Sequence, residues 1–244
     1  MNYKKLVVVV FCCKIAIILL LVFIGIFPRF LWQTDSDLSV VRRAIEKKES
    51  LEQRNMRGGT PLMGAAAQGK TAIVKLLLDN DANIEAHASN PEDIILEAGN
   101  TALHYACLGG HFETVQLLVK RGANVVALNK NNNTPLYTVI SSDTILDNKE
   151  KCIQALFAGK PAQMISRFFN VQNKQGYTPL MRAAELRSSP LVKLILRNWG
   201  AYIDFGLKNE KGHTALTLAE ADGADDTIIR SIREAQEKQA STKR

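Results

Sequence analysis

Residues 101–127, TALHYACLGGHFETVQLLVKRGANVVA, contain two short amphipathic segments separated by a pair of glycines. Thr101 precedes the first segment, where a threonine side chain can accept a hydrogen bond from a free N–H of the first helical turn. Gly110 permits the left-handed turn between two helices, and Val115 and Leu118 belong to the apolar stripe of the second segment. The stretch therefore predicts a helix–turn–helix unit that must bury its apolar side against another element.

The triplet that begins this unit recurs along the chain. Threonine followed two residues later by leucine occurs at Thr60, Thr101, Thr134, Thr178 and Thr214, with spacings of 41, 33, 44 and 36 residues. Similarity at periods of about 20–50 residues indicates stacked supersecondary units that share one core.

The unit at 101–127 resembles the ankyrin repeat, T-P-L-H-x-A-A-x-x-G-H-x-E-x-V-x-L-L-L-x-x-G-A-N, almost throughout. Residues 60–86 match nearly as well, and residues 177–204 match with one extra residue before their glycine. The third unit departs from the pattern after Ile140, and the fifth keeps GHTALTLAEADG and a following helix. The resemblance implies an all-α ankyrin-repeat solenoid of helix-turn-helix repeats with β-hairpin or loop fingers.

An apolar run precedes the repeats. Residues 6–27, LVVVVFCCKIAIILLLVFIGIF, form 22 residues with one charge, Lys14, and as a helix would span about 33 Å. A cleaved signal peptide would have a shorter apolar region and a small-residue cleavage site, and no such triplet follows here. Phe30 and Trp32 are typical of a membrane interface. We predict an uncleaved transmembrane signal-anchor helix, with the cleaved signal peptide as the alternative.

The orientation of this anchor rests on opposing charges. Lys4 and Lys5 favour a cytoplasmic N-terminus, whereas Arg29, Arg42 and Arg43 lie on the other side of the span. Long domains translocate largely regardless of charge. We therefore predict a single-pass protein of a bacterial inner membrane with its ankyrin domain in the periplasm.

These predictions divide the chain into consecutive parts. They are an N-terminal tail at 1–5, the transmembrane helix at 6–27, a juxtamembrane linker at 28–36, an ankyrin-repeat domain at 37–236 and a frayed tail at 237–244. Within the domain we expect a half-unit cap at 37–57 and repeats that start near 58, 99, 132, 176 and 212.

Composition and motifs argue against nucleic-acid binding and catalysis. The net charge is +7, the aromatic content is 7%, and no basic run is interleaved with aromatic residues. Phosphate-loop and nucleophile-elbow motifs are missing from the sequence. His104, Cys107 and His111 have a metal-like spacing, but they occupy repeat positions and lack a fourth ligand. We expect no enzyme activity, metal, cofactor or small-molecule substrate.

The resemblance implies that partners contact the finger tips and the exposed positions of the first helices, which line a concave face. Arginine and aromatic residues often anchor protein interfaces. Packing of some of these side chains against adjacent fingers remains the alternative. Counting from each threonine predicts the partner-binding residues Met63, Gln68, His104, Tyr105, Leu108, Tyr137, Thr138, Met181, Arg182 and Glu185.

Two insertions depart from the ankyrin pattern. Residues 87–99, HASNPEDIILEAG, lengthen one finger, and residues 141–175 replace a regular unit with an irregular one that contains Phe157, Phe168 and Phe169. Loops on a rigid scaffold often carry binding residues, although both insertions could instead pack onto the solenoid. In the first insertion the predicted partner-binding residues are Glu92, Asp93, Ile94, Ile95 and Leu96.

Together these features predict a membrane-tethered module that binds a specific protein. Small anchored ankyrin proteins of bacteria resemble immunity proteins, which neutralise delivered toxins, including lipases. The alternative is a scaffold or assembly factor for an envelope or cytoplasmic membrane-associated complex. The partner and the oligomeric state stay open at this point.

Overall fold

A computed structural model describes residues 38–55, 58–89, 98–221 and 226–242. Within these ranges the regular structure is helical, without a strand, so the predicted fingers are turns there and not β-hairpins. The helices are α1 (Leu38–Glu46), α2 (Pro61–Ala67), α3 (Thr71–Leu78), α4 (Ala102–Leu108), α5 (Phe112–Lys120), α6 (Pro135–Ser141), α7 (Leu146–Phe157), α8 (Ala162–Asn170), α9 (Pro179–Glu185), α10 (Ser189–Trp199), α11 (Ala215–Ala221) and α12 (Asp226–Thr242). A 3-10 turn, Gly200–Tyr202, follows α10.

Several predictions fall outside the described residues. These are the N-terminal tail, the transmembrane helix at 6–27, the linker at 28–36 and the inserted-finger residues Glu92, Asp93, Ile94, Ile95 and Leu96. Within the ranges that the structure does describe, no helix has the length and apolar character needed to cross a membrane.

The helices form two layers. The inner helices α2, α4, α6, α9 and α11 pack side by side in chain order, and the outer helices α1, α3, α5, α7, α10 and α12 form the second row. Each inner helix also contacts the outer helix that follows it, as expected of stacked helix pairs. The predicted all-α solenoid of helix-turn-helix repeats is thereby confirmed.

The threonines that mark the repeats start the inner helices. The Oγ1 atoms of Thr60, Thr134 and Thr178 accept hydrogen bonds from the third helical amide over 3.4, 3.2 and 3.2 Å, respectively. Proline follows each of these threonines and needs no donor at the first helical position. A cap of this kind stabilises a helix by about 1 kcal/mol.

The second insertion packs into the core. Its residues 162–170 form α8, and the ring centroids of Phe157 and Phe168 lie 5.2 Å apart. The centroids of Phe169 and Trp199 are 5.5 Å apart, and all four rings are buried. The apolar residues of this insertion therefore extend the core beside α7 and α10.

The C-terminal helix is longer than predicted. Helix α12 continues to Thr242, so the prediction of a frayed tail from residue 237 is wrong up to that residue. The side-chain Nε2 of Gln239 donates hydrogen bonds to the carbonyl oxygens of Ala201 at 3.3 Å and Ile203 at 2.9 Å. These contacts hold the last turns of α12 against the preceding repeat.

Candidate functional site

Three of the predicted partner-binding residues are buried at helix starts. The Sδ atoms of Met63 and Met181 each accept a hydrogen bond of 3.4 Å from the N-cap amide, that of Thr60 and of Thr178. His104 occupies the same position in α4 and is fully buried. The expected exposure of these three side chains is wrong, because a side chain at the third helical position turns back toward the cap.

His104 connects two repeats. Its Nδ1 accepts a hydrogen bond from the Thr101 amide at 3.2 Å, and its Nε2 donates one to the Asn133 carbonyl oxygen at 3.0 Å. Burial lowers the pKa of His104 to about 4, against the opposing effect of the bond to Asn133. The imidazole is therefore neutral near pH 7 and serves as a structural bridge.

Tyr105, Tyr137 and Thr138 are also buried, which corrects their expected exposure. They lie three or four residues after the threonine cap, on inner helices that pack against the inner helices of neighbouring repeats. The Thr138 hydroxyl donates to the Thr134 carbonyl oxygen at 3.1 Å. Of the three, Tyr137 still borders a surface pocket.

The exposed positions lie at the ends of the inner helices. Gln68 and Glu185 are exposed, Arg182 is half-buried, and Leu108 has 37% of its surface accessible. Leu186, one residue after Glu185, is 40% exposed. This row of residues is the part of the predicted concave face that a partner can reach.

Asparagine side chains shape the fingers. The Oδ1 of Asn129 accepts hydrogen bonds from the amides of Asn131 and Asn133, both at 2.9 Å, and its Nδ2 donates to Asn100 Oδ1 at 2.9 Å. Asn173 repeats this geometry one unit later and donates to Asn133 Oδ1 at 3.1 Å. The motif-based prediction missed these residues.

A sequence signal for the finger asparagines does exist. Asparagine stands five residues before four of the five repeat threonines, at Asn55, Asn129, Asn173 and Asn209. Backbone bonds then connect successive finger tips, from Lys130 N to Ala98 O at 2.9 Å and from Lys174 N to Asn131 O at 3.0 Å.

A pocket of about 480 Å³ opens between two of these fingers and the inner helices α6 and α9. Its lining residues are Asn131, Asn133, Tyr137, Ser141, Asn173, Lys174, Gln175 and Arg182. We call this cavity the finger pocket. The concave surface consists of the finger pocket and the exposed row Gln68, Leu108, Arg182, Glu185 and Leu186.

Hydrogen bonds hold the concave surface in place beside the pocket. Arg182 Nε donates to Ser141 Oγ at 3.2 Å, and Arg182 Nη1 pairs with Glu185 Oε2 at 2.7 Å. The Tyr177 hydroxyl donates to Glu185 Oε1 at 3.0 Å. Burial and the neighbouring Glu185 raise the pKa of Tyr177, so the hydroxyl keeps its proton.

The remaining histidine and cysteine candidates have separate structural positions. His111 Nε2 donates to the Ala67 carbonyl oxygen at 3.1 Å, and Cys107 is buried in the core. Across the described ranges, no three His, Cys, Asp or Glu side chains come together as a metal site. The concave surface offers hydrogen-bond donors and exposed apolar groups, which are groups that can bind another molecule.

Stacked helix pairs with asparagine-anchored fingers define a repeat solenoid with an open concave surface. Models of three consecutive ankyrin repeats match residues 32–129 and 85–164, and a single ankyrin-repeat model matches residues 175–205. The chain belongs to the ankyrin-repeat family. Proteins of this family are generally protein–protein interaction modules rather than enzymes.

Three relatives show how far this similarity extends. The human ankyrin repeat and KH domain-containing protein 1 is 36% identical over 96 residues, 39% of this chain and 4% of the relative. The probable 26S proteasome regulatory subunit p28 of Saccharomyces cerevisiae is 31% identical over 163 residues, 66% of this chain and 63% of that protein. The putative ankyrin repeat protein FPV031 of fowlpox virus is 30% identical over 65% of this chain and 43% of the relative. The chain thus spans less than two thirds of each relative.

A solved structure shares the fold across most of the chain. It comes from the Bd0816 predatory endopeptidase of Bdellovibrio bacteriovorus in complex with the immunity protein Bd3460. The superposition has a TM-score of 0.64 with 24% sequence identity, and covers 84% of this chain and 95% of the solved one.

Proposed function

We propose that this chain is a membrane-tethered binding module that captures one specific protein through its concave surface. The observation that carries the proposal is the accessible row of apolar and charged side chains beside the finger pocket. Leu108 and Leu186 expose apolar area there, and Arg182 and Glu185 are held in fixed positions. Exposed apolar groups with preorganised arginine are typical of protein interfaces.

The tether in this proposal is the apolar run at residues 6–27. Its length and single charge are those of a membrane-spanning helix. A tether of this kind would keep the concave surface close to one bilayer, in the periplasm of a bacterial cell. There the module would meet proteins that arrive from outside.

Within this class we favour an immunity role, in which the partner is a secreted toxin such as a lipase. The support is the shared fold with a chain from an endopeptidase–immunity protein complex. An inhibitor needs a rigid surface that matches one partner, and a stacked solenoid supplies such a surface.

Affinity capture tests the proposed function. The full chain, carrying an affinity tag, is expressed in its native source and purified from detergent-solubilised membranes. We expect one stoichiometric protein to copurify. Recovery should fall about tenfold in Leu108→Ser, because an interface anchor contributes more than about 1 kcal/mol.

The matched control is Leu146→Ser on the outer helix α7. Leu146 is 38% exposed, almost the same as Leu108 at 37%, but it lies away from the concave surface. Copurification that resists Leu108→Ser and is lost in Leu146→Ser would contradict the proposal. Recovery of several proteins of one membrane complex in place of one toxin would favour the scaffold function.

A further inference from the structure

The finger pocket has an uneven charge. Among the described residues that line it, Lys174 and Arg182 are cationic and none is acidic. Glu185 stands beside Arg182 but is outside the lining, and its two carboxylate oxygens already accept from Arg182 and the Tyr177 hydroxyl. Within the described part of the chain, the pocket lining is therefore cationic, and the nearby Glu185 pairs with Arg182 from outside the lining.

The same walls carry neutral hydrogen-bond donors. Asn131 and Gln175 are exposed at the tips of the two fingers, and both residues line the pocket. On the pocket floor, Asn133 Oδ1 is occupied as an acceptor by Asn173 Nδ2. A ligand thus meets amide N–H groups and two cations in one polar cavity.

The position of these groups is set by the fold. The hydrogen bond from Lys174 N to Asn131 O joins the two finger tips, and Ser141 and Glu185 restrain the Arg182 guanidinium. A guanidinium restrained in this way loses little side-chain freedom on binding. A guanidinium also matches the planar geometry of a carboxylate.

We propose that this pocket binds an acidic side chain, an aspartate or a glutamate, on a loop of the protein partner. The inference rests on the proposed function, because it assumes that the concave surface meets a protein. The carboxylate lies between Arg182 and Lys174, and the amides of Asn131 and Gln175 donate to it. On the finger segments, Lys130 and Lys211 are further cationic residues and Glu210 is an anionic one, and all three are exposed.

A peptide titration tests this inference before any partner is known. The probe is acetyl-Gly-Ser-Glu-Asp-Ser-Gly-amide, added to the full isotope-labelled chain in nonionic detergent. We expect saturable shifts of the amide resonances of Asn131, Lys174 and Arg182, with a Kd on the order of 1 mM. The isosteric peptide, with glutamine in place of the glutamate and asparagine in place of the aspartate, should bind at least about tenfold more weakly.

Variants assign the effect to the pocket. Arg182→Gln and Lys174→Gln should each raise the Kd of the acidic peptide by about tenfold. Lys120→Gln, at an exposed position of α5, should leave the Kd of the acidic peptide unchanged. This variant controls for non-specific attraction between the peptide and the positive charge of the chain. Because Arg182→Gln leaves Glu185 without its cation, the double variant R182Q/E185Q should show the same loss with an unaltered melting temperature.

Three results would overturn the inference. They are equal binding of the acidic and neutral peptides, equal losses in Lys120→Gln and Lys174→Gln, and inorganic phosphate producing the same shifts at the same concentration. Failure of the acidic-pocket inference can be distinguished from failure of the proposed function. If the captured partner depends on Leu108 but tolerates Arg182→Gln, the binding module stands and the acidic-pocket inference falls.

Discussion

The imidazole Nε2 of His104 donates a hydrogen bond of 3.0 Å to the backbone carbonyl oxygen of Asn133, one repeat further along the chain. The Nδ1 of the same ring accepts from the Thr101 amide, which caps the helix to which His104 belongs. One neutral side chain therefore starts its own helix and fixes the finger that leads into the next.

This bridge predicts a loss of stability in acid. The folded pKa of His104 is about 4 and the unfolded value is about 6.5, so the unfolded chain binds more protons between these pH values. The stability that neutral His104 contributes to the folded chain is present above the unfolded pKa of about 6.5 and declines as the pH falls toward the folded pKa of about 4. At pH 5 the free energy of unfolding should be lower by about 2 kcal/mol than at pH 7, as measured by urea unfolding.

The control is His104→Met. Methionine occupies the same helical position in α2 and α9, as Met63 and Met181. This variant should lose about 1 kcal/mol at pH 7, because the Asn133 carbonyl oxygen loses its donor. It should also lose most of the decline between pH 6.5 and 4. An equal decline in both chains would show that His104 does not cause it.

The finger asparagines should matter for stability. Asn129→Ala removes two acceptor bonds and one donor bond from a buried side chain, and we expect a loss of about 2–3 kcal/mol. Asn131→Ala, at the exposed tip of the same finger, should change stability by less than about 0.5 kcal/mol. Similar losses in both variants would contradict the anchoring role of Asn129.

The aromatic cluster predicts that the second insertion is structural. Phe169→Ala removes a fully buried ring between Phe157 and Trp199, and should lower the free energy of unfolding by about 3–5 kcal/mol. Met164→Ala, at a 40% exposed position of the same helix α8, should be neutral within about 0.5 kcal/mol. A stable Phe169→Ala chain that no longer captured a partner would instead assign the insertion to binding.

The proposed topology has its own test. Protease added to intact spheroplasts should degrade residues 60–232, because we place the ankyrin domain outside the cytoplasm. A periplasmic and a cytoplasmic marker protein in the same cells serve as controls. Protection in intact spheroplasts, followed by cleavage after lysis, would reverse the orientation.

The threonine spacing predicted the helical repeats well. All five inner helices begin at the residue after their threonine, including α6 and α11, whose units depart most from the pattern. Helix starts follow from local chemistry, since the cap and the first turn involve neighbouring residues. For this reason the recurring triplet of threonine, alanine or proline, and leucine locates the start of each inner helix.

The site could be predicted only in part. Leu108 and Glu185 are exposed as expected, but Met63, His104 and Met181 turn back to cap their helices. Counting along a helix gives a direction for each side chain, and does not show whether the next repeat covers it. The finger pocket was missed because Asn131 and Lys174 are distant in sequence and meet through the bond between two fingers.

Site-specific photocrosslinking in living cells shows whether the concave surface binds a protein partner. A p-benzoylphenylalanine is placed at Leu108 in one chain and at Leu146 in a second, two leucines with nearly equal exposure on opposite layers. We expect one discrete crosslinked protein from position 108 and none from position 146. A crosslink from position 146 alone, with none from position 108, would contradict it.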